Sequence, residues 1–121
     1  MSNILAERGL DMNSKLEFNL KEYNGVLEVF LAGDLDSSSS PKLLKELDYN
    51  VKESINRVIF LMDKLEYISI KGIRTIFFVK ERVADSSDVV LVGAQNNILD
   101  ILKLSELDDF FVIKESEEQY N

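Results

Sequence analysis

Two carboxylates stand two residues apart in Gly33-Asp34-Leu35-Asp36. On an extended segment that spacing points Asp34 and Asp36 the same way. Such a pair can hold Mg²⁺ through hard oxygen ligands, work as an acid and a base, or contact a partner protein. The local alternative is that both carboxylates solvate a strand-to-helix loop and help prepare Ser37, Ser38, Ser39 and Ser40 for capping. A third carboxylate, Asp63, follows the apolar run VIFLM (58–62), at what reads as a strand's carboxyl end. Ligands of open α/β sheets gather at such ends, so Asp63 either joins a Mg²⁺ site, accepts a phosphoryl group, or serves as a loop or capping residue.

A different constellation lies in EYISIKGIRTIFF (66–78), where Ser69 precedes Gly72 by three positions at the passage from an apolar run to a helical pattern. Other chemistries are excluded by composition. The chain has no Cys and no His, which removes disulfides, thiolates and every catalytic triad that needs imidazole. No GxGxxG or GxxxxGK can be written around its isolated glycines, so no phosphate loop is expected. No cofactor is expected either.

The 121 residues fit one domain with its own core. The net charge of −8 repels nucleic acid and anionic lipid, and it suits a module that meets a basic protein surface or simply stays in solution. No stretch has the length of a membrane span and no signal-peptide pattern opens the chain, so the sequence reads as cytoplasmic.

The elements that must position these residues follow from periodicity. Residues 1–14 read as an N-terminal arm in which Leu5 and Leu10 could dock and Met12 could be an alternative start. Leu16, Phe18 and Leu20 alternate with polar residues, the pattern of a half-buried strand. Asn24-Gly25 then marks a two-residue hairpin, and VLEVFLA (26–32) is a strand further inside the sheet. Ser40-Pro41 opens a helix over about 41–54, with Ser40 as cap and Leu43, Leu44, Leu47, Val51 and Ile55 as its apolar stripe. VIFLM and VVLV (89–92) read as buried strands. A second helix runs on from Gly72, carrying Ile73, Ile76, Phe77, Val83 and Ala84. A third spans 96–107, with Gln95 or Asn96 near its cap. FFVI (110–113) is a last strand, and 115–121 an acidic tail. The fold class is α/β: a mixed, mostly parallel sheet opening with a β-hairpin, packed by about three to four helices, with crossovers placing helices against its faces. The first strand is expected at an edge. An aspartyl phospho-acceptor domain of the receiver type would instead start with a βα unit and carry an acidic pair after its first strand.

A hairpin, GDLD, a helix opened by Ser-Pro, VIFLM, and then Tyr67-Ile68-Ser69 with Gly72-Ile73-Arg74 resemble, in that order, the STAS domain of the anti-sigma factor antagonists. The closing run NNILDILKLSELDDFFVI is similar to that family's last helix and strand, so the resemblance covers about residues 15–114. It implies a non-catalytic protein-interaction regulator in partner switching. The partner would be an anti-sigma factor or serine kinase of that type, or another signalling protein, with a PP2C-like phosphatase as a further partner. It implies a contact surface of Asp34, Asp36, Ser37, Ser38, Ser69, Ile70, Lys71, Gly72 and Arg74. In the family, the serine two positions before the glycine is phosphorylated. Here that position is Ile70, which has no hydroxyl, so either phospho-control is lost or Ser69 (or a serine of 37–40) carries it. The family's glycine near the end of the third helix is matched by Glu106.

Overall fold

The structure is a computed structural model, and it describes residues 15–116. The N-terminal arm and residues 117–121 lie outside the described residues. The chain forms β1 (Leu16–Tyr23), β2 (Val26–Leu35), α1 (Ser40–Asn50), β3 (Arg57–Ile68), α2 (Ile70–Arg82), β4 (Asp88–Val92), α3 (Asn96–Leu104), a 3₁₀ turn (Asp108–Phe110) and β5 (Val112–Lys114). One five-stranded sheet takes them in chain order, β1-β2-β3-β4-β5. β1 pairs antiparallel with β2 and occupies an edge, as expected, while every later pairing is parallel. The hairpin turn places Asn24 at φ 49° and Gly25 at φ 79°. Both are left-handed, the conformation a type I′ turn requires.

The three helices among the described residues share one face of the sheet. In a parallel sheet whose strands are added in chain order, right-handed crossovers all fall on the same side. The core shows it. Leu27, Val29, Leu31, Val58, Phe60 and Leu91 from the strands are buried with Leu43, Leu47, Ile73, Ile76, Val79, Ile98 and Leu102 from the helices. The alternate strand residues Ile59, Val90 and Val92 form a separate cluster on the other face.

Several boundaries differ from the sequence reading. α1 ends at Asn50, with Val51 and Ile55 buried in the segment that follows. Leu44 is exposed and lies off the buried stripe, as does Ala84 beyond α2. α3 stops at Leu104, and Phe110 belongs to the 3₁₀ turn that precedes the last strand.

The largest difference is β3, which does not end at Met62 but runs on to Ile68. Its pairing with β4 stops at Leu61↔Val92, and its register with β2 shifts twice, after Phe30 and after Gly33. Beyond β4, amide side chains take over the free edge: Gln95 Nε2 donates to the carbonyls of Leu65 (3.0 Å) and Asp63 (3.4 Å), and Asn97 Nδ2 to that of Glu66 (2.9 Å). Gln95 thus precedes α3 without capping it through its side chain. Its reach satisfies carbonyls that would otherwise lack a ladder partner.

Candidate functional site

The carboxyl ends of β2 and β3 lie side by side, with Asp34↔Tyr67 and Leu35↔Ile68 in register. Each strand then turns into a helix, so the GDLD loop and the head of α2 form one corner. The Ser69 N–H donates to the Leu35 carbonyl at 3.0 Å. Ser69 is the N-cap of α2, in extended backbone (φ −96°, ψ 172°), and its hydroxyl accepts the Gly72 N–H at 3.1 Å. That bond satisfies one of the four free donors of a helix start. α2 therefore begins at Ile70, two residues before the expected Gly72.

Gly72 is present because of close approach. A Cβ there would lie 2.5 Å from the Leu35 carbonyl oxygen and 2.9 Å from Ile68 Cγ1. Any side chain would push the helix off the strand ends. Gly72 is buried, so it shapes the surface without forming part of it, unlike the contact role expected from sequence.

Asp36, not Ser40, organises the other half of the corner. Its Oδ1 accepts the N–H groups of Ser38 and Ser39, each at 3.0 Å, and the Ser38 hydroxyl at 2.9 Å. The Ser38 hydroxyl first, and then the Ser39 amide, hold the Asp36 carboxyl below its ordinary value, against a smaller opposing effect of burial. Ser39 is buried; its hydroxyl accepts the Asp36 N–H at 2.9 Å and donates to the Asp34 carbonyl at 2.8 Å. Ser40 is also buried and its hydroxyl donates to the Asp36 carbonyl. The serine run thus divides: Ser39 and Ser40 point inward to lock the loop, and Ser37 and Ser38 are exposed.

The expected carboxylate trio does not assemble. Among the described residues no three Asp or Glu side chains come together to hold a metal ion. Asp36 faces its own loop. Asp63 is not at a strand end: it sits within β3, at the first register shift, where it lines an open cavity of about 610 Å³ with Phe30, Leu61, Val92 and Gly93. Phe30 and Leu61 pair in register, alternating with core residues that face the helices, so this cavity opens on the side of the sheet opposite α1, α2 and α3.

What the corner offers to solvent is a mixed surface. Ile70, the first residue of α2, is 50% exposed, and Tyr67 just before the corner is 49% exposed. Lys71, Arg74, Ser37 and Ser38 are exposed around them, with Asp34 and Asp36 half-buried. Tyr67 was not among the contact residues read from sequence. The strand's period of two does not signal it, since it would put Tyr67 on the buried face of Leu65; the register shift breaks that alternation, so that Leu65 and Ile68 are buried and the residues between them turn outward. An apolar pair within a polar rim is the composition of a protein-binding patch.

Comparison with known proteins then decides the family. The family model of the STAS domain matches residues 17–120. The chain belongs to the STAS domain family. A Bordetella bronchiseptica protein, BtrV, provisionally named as an anti-sigma factor antagonist, is 23% identical over 104 residues, covering 85% of this chain and 90% of its own. The crystal structure of an anti-sigma factor antagonist from Mycobacterium paratuberculosis superposes with a TM-score of 0.77 at 16% identity, over 86% of this STAS domain chain and 89% of its own. The Bacillus cell fate determinant SpoIIAA, in its phosphorylated form, gives 0.68 at 14% identity, over 86% and 96%. At these identities the solved structures establish the STAS fold. Proteins of this antagonist family are typically non-catalytic. No helix among the described residues is long and apolar enough to cross a membrane.

Proposed function

We propose that this STAS domain is a non-catalytic anti-sigma factor antagonist-like regulator whose partner docks on the corner built by the GDLD loop and the head of α2. The observation that carries this reading is the exposure of Ile70 at the first position of α2. In relatives this position must be reachable by a kinase; here it presents an apolar side chain, with Tyr67 before it and Lys71 and Arg74 after it. A contact of this kind excludes water at its centre and leaves charge at its rim. Asp34, Asp36, Ser37 and Ser38 supply the opposite side of the patch. The partner is an anti-sigma factor of the serine-kinase type or another signalling protein, and the module binds in one fixed state, because Ile70 has nothing to phosphorylate.

Calorimetry and pull-down with purified serine kinases of the anti-sigma type test this, using the native chain, Ile70→Ser and Ile70→Asp. The native chain and Ile70→Ser are expected to bind. Ile70→Asp should weaken binding by about tenfold or more, since it puts an unpaired charge into an apolar contact. With ATP present, only Ile70→Ser should take up phosphate. Labelling of the native chain that disappears in Ser69→Ala would move the switch to Ser69 and end the fixed-state reading. If neither the native chain nor Ile70→Ser binds any such kinase, the anti-sigma assignment loses its support.

A further inference from the structure

α1 and α2 pack side by side, and an open groove of about 400 Å³ lies between them, lined by Pro41, Leu44, Lys45 and Asp48 of α1 and by Phe78 of α2. The four α1 residues recur at helical spacing and share one face of that helix. Leu44, expected in the core, is instead 37% exposed in the groove, and Phe78 is half-buried. On α2 the row Ile70, Arg74, Phe78, Arg82 advances four residues at a time. It leads from the exposed Ile70 of the corner into the groove. There Arg82 pairs with Asp48 and stacks over the Phe78 ring at 5.2 Å. The groove therefore continues the corner at one end and is closed by an ion pair at the other.

We infer that this groove takes an acidic amphipathic helix of the partner, whose apolar stripe lies on Leu44 and Phe78. Backbone chemistry selects the helix. Two packed helices have no strand edge to offer, so a segment laid between them must satisfy its own N–H and C=O groups. Charge selects the acidic form. In a chain of net charge −8, the groove and the α2 row carry Lys45, Arg74 and Arg82 against Asp48 alone. Asp48 is held by Arg82, which leaves the exposed Lys45 and Arg74 to meet carboxylates on the rim of the occupant. Lys71 and Glu81, exposed at the two ends of α2, offset each other. From Ile70 to Arg82 the helix rises about 18 Å, so the occupant has about three turns. Resting on the corner docking proposed above, this gives the partner a second stretch of contact beyond Ile70.

Fluorescence anisotropy with two labelled, designed helical peptides of about four turns tests the groove. Both carry one stripe of leucines; the polar face is glutamate in one and lysine in the other. The acidic peptide should bind the full chain at least about tenfold more tightly than the basic one. Leu44→Asp, at an exposed position, should weaken the acidic peptide by about tenfold or more, and Lys45→Glu should remove the preference for it. Leu44→Asp should also weaken binding of a purified serine kinase of the anti-sigma type. A basic peptide that binds the native chain as tightly as the acidic one would overturn the inference, and so would an acidic peptide indifferent to Leu44→Asp. Kinase binding lost in Ile70→Asp but unchanged in Leu44→Asp would overturn the groove and leave the corner standing. The acidic peptide bound as expected, with no kinase bound by the native chain, would support the groove and remove the kinase as its partner.

Discussion

The Ser69 N–H and the Leu35 carbonyl are joined at 3.0 Å, and the same carbonyl oxygen lies only 2.5 Å from where a side chain at position 72 would begin. One backbone oxygen therefore fixes both the entry of α2 and its distance from the sheet. Replacing Gly72 with Ala should force these elements apart, at a cost of about 1–3 kcal/mol in denaturant unfolding. Affinity for the partner should fall as well, because Ile70 and the GDLD loop shift relative to each other. Full stability in Gly72→Ala would show that the contact is softer than its geometry indicates.

Ser69 acts first as a cap. Ser69→Ala leaves the Gly72 N–H without its acceptor and should lose about 1 kcal/mol. Ser69→Asp and Ser69→Thr retain an acceptor and should stay within a few tenths of the native value. Chemical denaturation of the four proteins side by side separates capping from any signalling role. Equal loss in all three variants would refute the cap.

The Asp36 carboxyl gives the loop a defined acid sensitivity. Its folded pKa lies below the ordinary 3.8. Its contribution to stability is therefore complete above pH 3.8 and is lost as pH falls through the lower, folded value. The stability gap between the native chain and Asp36→Ala should be constant from pH 7 to about pH 4 and close below that. A gap that closes near neutral pH would contradict this assignment.

Glu106 holds φ 62° immediately after the Ser105 C-cap of α3. That left-handed position is where glycine usually ends a helix. Glu106→Gly should relieve the strain and raise stability by about 1 kcal/mol, read as a higher unfolding midpoint. Glu106→Ala, with a Cβ still present, should gain little or nothing.

Much of this architecture was legible in the residues because local rules and the global fold agree. Asn24-Gly25 can hardly be anything but the hairpin turn, and the apolar runs of β3 and β4 demanded burial on both faces. What escaped was what depends on a neighbouring element. β3 reads as ending at Met62 because Asp63 and Lys64 break its apolar run, yet pairing with β2 carries it on to Ile68. Ser40-Pro41 has the signature of a helix start, but Asp36 does the anchoring from four residues upstream. The sequence can offer a side-chain acceptor; only the turn of the loop decides which donors it meets. Gly72 was readable as a motif, while the reason for it, the Leu35 oxygen, belongs to another strand.

Strand order equals chain order in this sheet, so each strand pairs with the one made just before it. No early strand waits for a later one to be inserted beside it, as in sheets whose central strand arrives last. Assembly can therefore proceed from the amino end during synthesis, with the β1–β2 hairpin formed first because its loop is shortest. The three-residue β5 should close the sheet last. Pulse-labelled hydrogen exchange during refolding is expected to protect the amides of 26–35 before those of 112–114, and simultaneous protection would mean that the sheet forms in a single step.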